Sequence, residues 1–476
     1  MRKSYVSVII LAILVFSAAF DNPVQARSLS VIVRPNSTPD FVNSEAVISL
    51  DDTIYVPLIM QRTYYTTSTD IILGNPITVQ GTGVVINGSI ATIVGSGTFH
   101  ATGTLTNGMI DVNATGEVVL ILDGVNITHS SGPAINVTNA GKLSVVLANG
   151  TTNTLIDGAI YTDISQKATL FSNDPLEIFG DGTLNVTGNY KHGITSDDNL
   201  IIHGGTINIL STISDGIHAN DNITIFGGTI TMNNIGSDGI ENEGLKGPLE
   251  VWGGTFSLTV ADDGLVSLGS LIINGGTIDI PYGYEGIESK NIITINGGTI
   301  SANVSDDALN ATNNITLNGG QLFFNGGSDA VDSNGSLTIN GGVIVSLGGT
   351  EGSFDCEGDV VFNGGIVVGT GFGSNPASES STQHVVEILA PRPVGTIFNF
   401  VPIGGVSVLT FEVTKVYWDM TITTPDLQGN KWYTIFTGGT VSGGTNFHGL
   451  YTGATYTGGD NWKTFYTGSI ITHVWE

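Results

Sequence analysis

Cysteine is nearly absent: Cys356 is the only one in 476 residues. No intrachain disulfide can form, so stability must come from packing and, where charge demands it, from bound metal. Nothing in the sequence supplies Cys356 with the partners of a nucleophile, and it is expected to be a small buried residue. Positive charge is equally scarce. Fourteen Lys and Arg face 42 Asp and Glu, a balance that repels nucleic acid and anionic membrane surfaces. No Arg lies between Arg62 and Arg392, and from Lys246 to Arg392 sixteen acids share one base, Lys290. Such a concentration calls for a counter-ion.

Long apolar runs are missing except at the start, "MRKSYVSVIILAILVFSAAFDNPVQA". Arg2 and Lys3 precede an apolar stretch from Ser7 to Phe20, and small residues stand at the end of "VQA". The stretch is short for a membrane span and reads as a secretory signal peptide, residues 1–26. The expected product is secreted, and no cysteine near the cleavage region offers a lipid anchor. Helical periodicity with caps is absent from the rest of the chain.

Glycine is abundant, with 66 residues among many Thr, Ile, Val and Asn. Gly-Gly pairs begin at Gly204, Gly227, Gly253, Gly275, Gly297, Gly319, Gly341 and Gly364, at steps of 22 or 23 residues except one of 26 that carries the insertion "ENEGLKGP". Each repeat holds two or three short alternating β-prone runs between Gly, Asn and Asp turns. A unit of this length is too short for a propeller blade and lacks a leucine-rich pattern. It fits an all-β fold: one turn of a right-handed parallel β-helix, with coils about 4.8 Å apart.

Equivalent positions then form columns. Asn274, Asn296, Asn318, Asn340 and Asn363 precede the Gly-Gly pairs and are expected to stack their amides. Thr206, Thr229, Thr255, Thr277 and Thr299 make a strand column that gives way to Gln321, Val343 and Ile366. The acids make two more. Asp215, Asp238, Asp263, Glu285, Asp307 and Asp329 share one place; His218, Glu241, Val266, Glu288, Asn310, Asp332 and Asp355 stand three residues later, and Asp262 and Asp306 add carboxylates just before the first column. Two carboxylates one rung apart repel by roughly 3 kcal/mol at an effective dielectric near 20. A solvated edge or protonation would relieve this, but repetition over six coils with one nearby Lys favours a cation. Hard oxygen ligands of this kind suit Ca2+. The expected calcium ligands are Asp215, Asp238, Glu241, Asp262, Asp263, Glu285, Glu288, Asp306, Asp307, Asn310, Asp329 and Asp332.

Several phrases carry a family resemblance: "VVLILDGVNITHSSGPAINV", "LANGTTNTLIDG", the "SDGI…GGTI" coils, "TPDLQGNKWYTIFTGGT" and "GLYTGATYTGGDNWKTFYTG". Over roughly residues 70–474 the chain resembles the secreted carbohydrate-binding β-helix family related to polysaccharide lyases. The resemblance implies a right-handed parallel β-helix, bound calcium, and affinity for cellulose-like and pectin-like polysaccharides. His192 departs from the pattern, standing where later coils have the first-column acid.

Three functions remain open. In a binding protein, calcium bridges protein carboxylates to uronates, and exposed aromatics stack on neutral glucans. Tyr282 and Tyr284, in "PYGYEG" beside Glu285, are the stacking candidates. A lyase acting on polyuronates needs a Brønsted base near the metal, for which only Lys290 offers itself. A structural surface protein or adhesin is the third, compatible with N-x-Ser/Thr sequons such as Asn126, Asn222 and Asn314. The expected organisation is a monomer with a lead-in at 27–69, the solenoid at 70–372, a linker at 373–383 and a β-rich cap at 384–476.

Overall fold

The computed structural model describes residues 68–476 except Lys246, and separately the backbone of a short antiparallel pair, Val47–Ile48 with Val56–Pro57, in the unit that ends at Thr66. The expected signal peptide and most of the lead-in lie outside the described residues. The second unit, Thr67–Glu476, contains no helix among the described residues, hence none long and apolar enough to cross a membrane.

One coil shows the rest. Ile287–Ser289, Ile293–Ile295 and Thr299–Asn303 turn round three faces, and the next coil resumes at Leu309–Ala311. Pairing is parallel and in register on all three: Ile287 with Leu309, Ile293 with Ile315, Thr299 with Gln321. A parallel pair cannot close by a hairpin, so each strand reaches its neighbour only after a full circuit. That is why the 22-residue period becomes a contact. The fold is a parallel β-helix, and its acid-bearing face is a 13-stranded sheet.

Alternate residues point inward. Ile287, Ile293, Ile300, Leu309, Ile315, Leu322 and Phe324 are all fully or almost fully buried, each stabilising the coil by roughly 1.5–3 kcal/mol relative to exposure. The Gly-Gly corner has a steric cause. Its second glycine has φ between 91° and 107° from Gly205 to Gly365, and a Cβ on Gly298 would lie 2.8 Å from Gly276 O of the preceding coil. Only glycine fits that corner. Beside it Asn296 donates to Asn274, Asn318 to Asn296 and Asn340 to Asn318, each at 2.8 Å. Cys356 is buried, and burial beside Asp355 and Asp332 pushes its thiol up to about 12, so it is a packing residue.

The C-terminal region explains the broken threonine column. Asp419–Thr423 pairs antiparallel with the last threonine-face strand, Ile366–Gly371. A six-stranded sheet built from Ile397–Pro402, Leu409–Glu412, Trp432–Thr437 and their neighbours follows. Its core of Phe398, Phe400, Phe411 and Tyr433 takes in Val345 and Val368 from the last coils, with Phe323, Val343 and Ile366 packed against it. Outward positions that carry Thr on open coils are apolar here because the cap covers them. Residues 373–383, linker-like in composition, fold along the last coil: Ala377 and Ser381 are buried, and Ser378 N donates to Val360 O at 2.7 Å.

Candidate functional site

The acid columns lie where the threonine face turns into the 13-stranded sheet. The first column occupies the turn; Asp215, Asp238, Asp263, Glu285, Asp307 and Asp329 are all at most 9% exposed. The second lies on the strands, where Glu288 pairs with Asn310, Asn310 with Asp332 and Asp332 with Asp355. Sequence spacing has become lateral contact.

Backbone geometry accounts for one oxygen of most first-column carboxylates. Asp238 Oδ1 accepts the N–H of Asp263 at 2.9 Å, Asp263 Oδ1 that of Glu285 at 3.0 Å, Asp307 Oδ1 that of Asp329 at 2.8 Å, and Asp329 Oδ1 that of Gly352 at 2.6 Å. Each acid therefore caps the turn of the following coil, satisfying a buried donor. The chain of links breaks at Glu285, whose Oε1 accepts Asn310 Nδ2 at 2.9 Å while Oε2 is buried without a hydrogen-bond partner.

Around that orphan oxygen the site closes. Asp263, Glu285 and Glu288 are all buried and present ligand oxygens within 4.8 Å of one another. Asp238, Asp262 and Asp263 form an adjoining group that shares Asp263, and Asp215, Asp238 and Glu241 a third. Burial, then like charge, pushes Asp263 up to about 7, Glu285 to about 8 and Asp329 to about 8; burial pushes Asp238 and Asp307 to about 6. Asp332 is raised by burial and by Asp355. Near neutral pH such a column must hold protons or a cation. Three converging carboxylates with an unengaged oxygen fit a hard divalent cation. Asn310 points its amide nitrogen at Glu285.

Lys290 does not look like a base. Its ammonium contacts Glu288 Oε1, and although burial opposes it, the surrounding carboxylates raise its pKa. A general base needs the opposite shift. Tyr282 and Tyr284 are 61% and 49% exposed beside the acid turn, open for stacking, and Asp306 engages the Tyr284 phenol and raises it.

Some functional candidates had no sequence signal. Lys415, from the cap, crosses to the solenoid, where Nζ donates to Asn325 Oδ1 at 2.7 Å, Gly326 O at 2.6 Å and Leu347 O at 3.2 Å. It borders a cavity of about 270 Å³ with Phe323 and His448, whose rings stack, and burial lowers it to about 8. Trp432 and Tyr466, paired across two cap strands with ring centroids 5.3 Å apart, form a second exposed aromatic surface. Others were visible as departures from the column. His192 stacks on His218 with centroids 4.7 Å apart, and its Nδ1 lies 2.8 Å from Asp215 Oδ2. Burial opposes it, but His192 holds Asp215 well below the usual carboxylate range; burial and the neighbouring imidazole push His218 down to about 4. Burial and Asp215 push Glu241 up to about 9.

A protein of Acetivibrio thermocellus described as a carbohydrate-binding domain-containing protein is 44% identical over 187 residues, which are 37% of this chain and 65% of that protein. The chain thus spans just under two thirds of that relative's length. A solved structure described as the polysaccharide lyase-like protein from C. thermocellum, in a gadolinium derivative, is 23% identical with a TM-score of 0.37, over 62% of this chain and 96% of the other. Residues 87–352, more than half of the chain and most of its solenoid, match the family described as carbohydrate-binding domain-containing protein, and the chain belongs to that family.

Proposed function

We propose that the chain is a secreted, calcium-dependent polysaccharide-binding protein that holds its polymer without cleaving it. The observation that carries this reading is the Asp263–Glu285–Glu288 group, buried, converging and with Glu285 Oε2 unengaged. Family membership supplies the carbohydrate; the acid column supplies the reason for a metal. These residues would hold Ca2+, which when bound cancels the repulsion between them and presents positive charge to an acidic polymer. Asp262, exposed beside Asp263, and the half-buried Asp306 border the same edge. Tyr282 and Tyr284 offer ring faces to a neutral glucan. A repeating polymer along repeating coils gains by multivalency, so long chains should bind much more tightly than short oligomers.

A lyase reading draws on one observation, the lowered pKa of Lys415. All three of its N–H donors are engaged by oxygens, which leaves no proton-accepting lone pair free while those bonds last. One incubation separates the readings. Polygalacturonate should be retained by the full chain in Ca2+ and released by EDTA, with no rise in the ultraviolet absorbance of an unsaturated uronate. Equal retention in EDTA would sink the calcium bridge, and growth of that absorbance would establish a lyase.

A further inference from the structure

The N-terminal end of the acid edge has a different chemistry from its middle. His192, Asp215 and His218 are 2%, 2% and 3% exposed and each offers a ligand atom within 4.8 Å of the others. Asp215 binds the corner together: Oδ2 lies 2.8 Å from His192 Nδ1, Oδ1 accepts Ser214 Oγ at 3.1 Å and the N–H of Asp238 at 3.4 Å, and its own N–H donates to His192 Nδ1 at 3.4 Å. This leaves His192 Nε2, and on the stacked ring His218 Nδ1, buried with no hydrogen-bond partner. A buried imidazole nitrogen without a partner is uncommon, and two on a pair of stacked rings are more so. His218 Nε2 faces Glu241 Oε2 at 3.8 Å and Glu243 Oε2 at 3.6 Å, too far for hydrogen bonds. Glu243 has its side chain 51% exposed and opens the corner to solvent.

We infer that His192, Asp215 and His218 form a second cation site, for a borderline transition metal of the Zn2+ class, with Glu241 and Glu243 at its mouth. The donor set decides the class. Imidazole nitrogen is a preferred ligand of Zn2+, Co2+, Ni2+ and Cu2+, whereas Ca2+ takes oxygen. The Asp263–Glu285–Glu288 group contains no nitrogen donor, so one edge carries two sites of different selectivity. This inference goes beyond the calcium reading and does not depend on it. Calcium relieves repulsion among acids; here the unmatched groups are nitrogens.

The test uses the full chain without a histidine tag, stripped of metal and returned to buffer with saturating Ca2+. Zn2+ titrated by calorimetry should bind at one equivalent despite the Ca2+, and Co2+ in its place should give the visible absorption of a nitrogen-ligated ion. His192→Gln and His218→Gln should each weaken Zn2+ binding at least about tenfold, the scale of losing a ligand or its orienting partner. Glu285→Gln should leave Zn2+ binding unchanged. Displacement of Zn2+ by Ca2+, a featureless Co2+ spectrum, or undiminished Zn2+ affinity in folded histidine variants would overturn the site. Should the variants fail to fold, the competition and the Co2+ spectrum of the unmutated chain decide alone. A failed calcium reading would show separately, as loss of the Ca2+ effect on melting with the Zn2+ equivalent intact.

Discussion

Two of the three corners of each coil solve the same stacking problem with different side chains. At the Gly-Gly corner the Asn274–Asn296–Asn318–Asn340 ladder repeats one amide, each donating at 2.8 Å to the one before. An amide both donates and accepts, so a column of them satisfies itself at any length, even on the surface. At the acid corner, one strand further on, the repeated group is a carboxylate, which only accepts. The structure supplies one backbone N–H to most of these acids, as from Asp263 to Asp238, and leaves Glu285 with one side-chain donor and an unengaged second oxygen. An amide ladder is complete as built; an acid ladder needs a proton or a cation from outside. The amide ladder supports the coil, and the acid ladder supports it only conditionally.

The strongest way to break this comparison is to take the cation away. Calcium at a thousand times its dissociation constant would add about 4 kcal/mol at a single site. Chelation should therefore lower the melting temperature of the full chain by several degrees or more. Glu285→Gln, by removing the charge around the orphan oxygen, should abolish most of the calcium-dependent part. A melt unchanged by EDTA would mean that the acid corner is as self-sufficient as the amide corner.

The second test turns on sign. In the metal-free chain Asp263 and Glu285 lie at about 7 and about 8 against ordinary values of 3.8 and 4.5. The folded state then binds more protons than the unfolded one between those limits, so stability falls as pH rises. Metal-free protein should be more stable near pH 5 than near pH 8, and the gain from Ca2+ should grow over the same interval. Denaturant midpoints at the two pH values, with and without Ca2+, check this; a metal-free chain that gains stability toward pH 8 would contradict it.

A smaller effect follows from importing one corner's chemistry into the other. Asn318→Asp keeps the acceptor for Asn340 but loses the donor to Asn296. The expected cost is about 1 kcal/mol, the worth of one ordinary hydrogen bond, read as a shift in urea midpoint that Ca2+ does not restore. Recovery in Ca2+ would show that position, rather than side-chain type, separates the corners.

Legibility in the sequence divides along the same line. Columns were readable because in-register parallel pairing turns a fixed spacing into contact: Glu288 meets Asn310 and Asn310 meets Asp332 as the repeat requires. The commitment of one acid oxygen to the next turn was not readable, since it depends on where the backbone N–H points. Lys415 was invisible because its partner Asn325 is 90 residues away on a different architecture. The end of the threonine column at Gln321 was visible, but its cause, the cap packing on Val343 and Ile366, was not. His192 was read as an irregularity in an acid column, and only the ring stack on His218 gives that irregularity a chemical sense.

The gentlest perturbation asks whether the acid corner's aromatics serve the coil or the ligand. Tyr282 and Tyr284 are mostly solvated, so truncation to alanine should change folding stability by no more than about 0.5 kcal/mol, as for surface sites generally. Loss of a stacked ring should cost about 0.5–1.5 kcal/mol of glucan binding, roughly a two- to tenfold weakening. Uronate binding, carried by metal, should change less; because Tyr284 hydrogen-bonds Asp306 and its removal frees that carboxylate, Tyr282→Ala is the cleaner variant. The paired measurement is a glucan and a polygalacturonate titration on one preparation of each variant. A Tyr282→Ala chain that loses uronate and glucan affinity equally would join the aromatic turn to the metal site, and one that loses neither would move the glucan surface to the cap, where Trp432 and Tyr466 stand exposed.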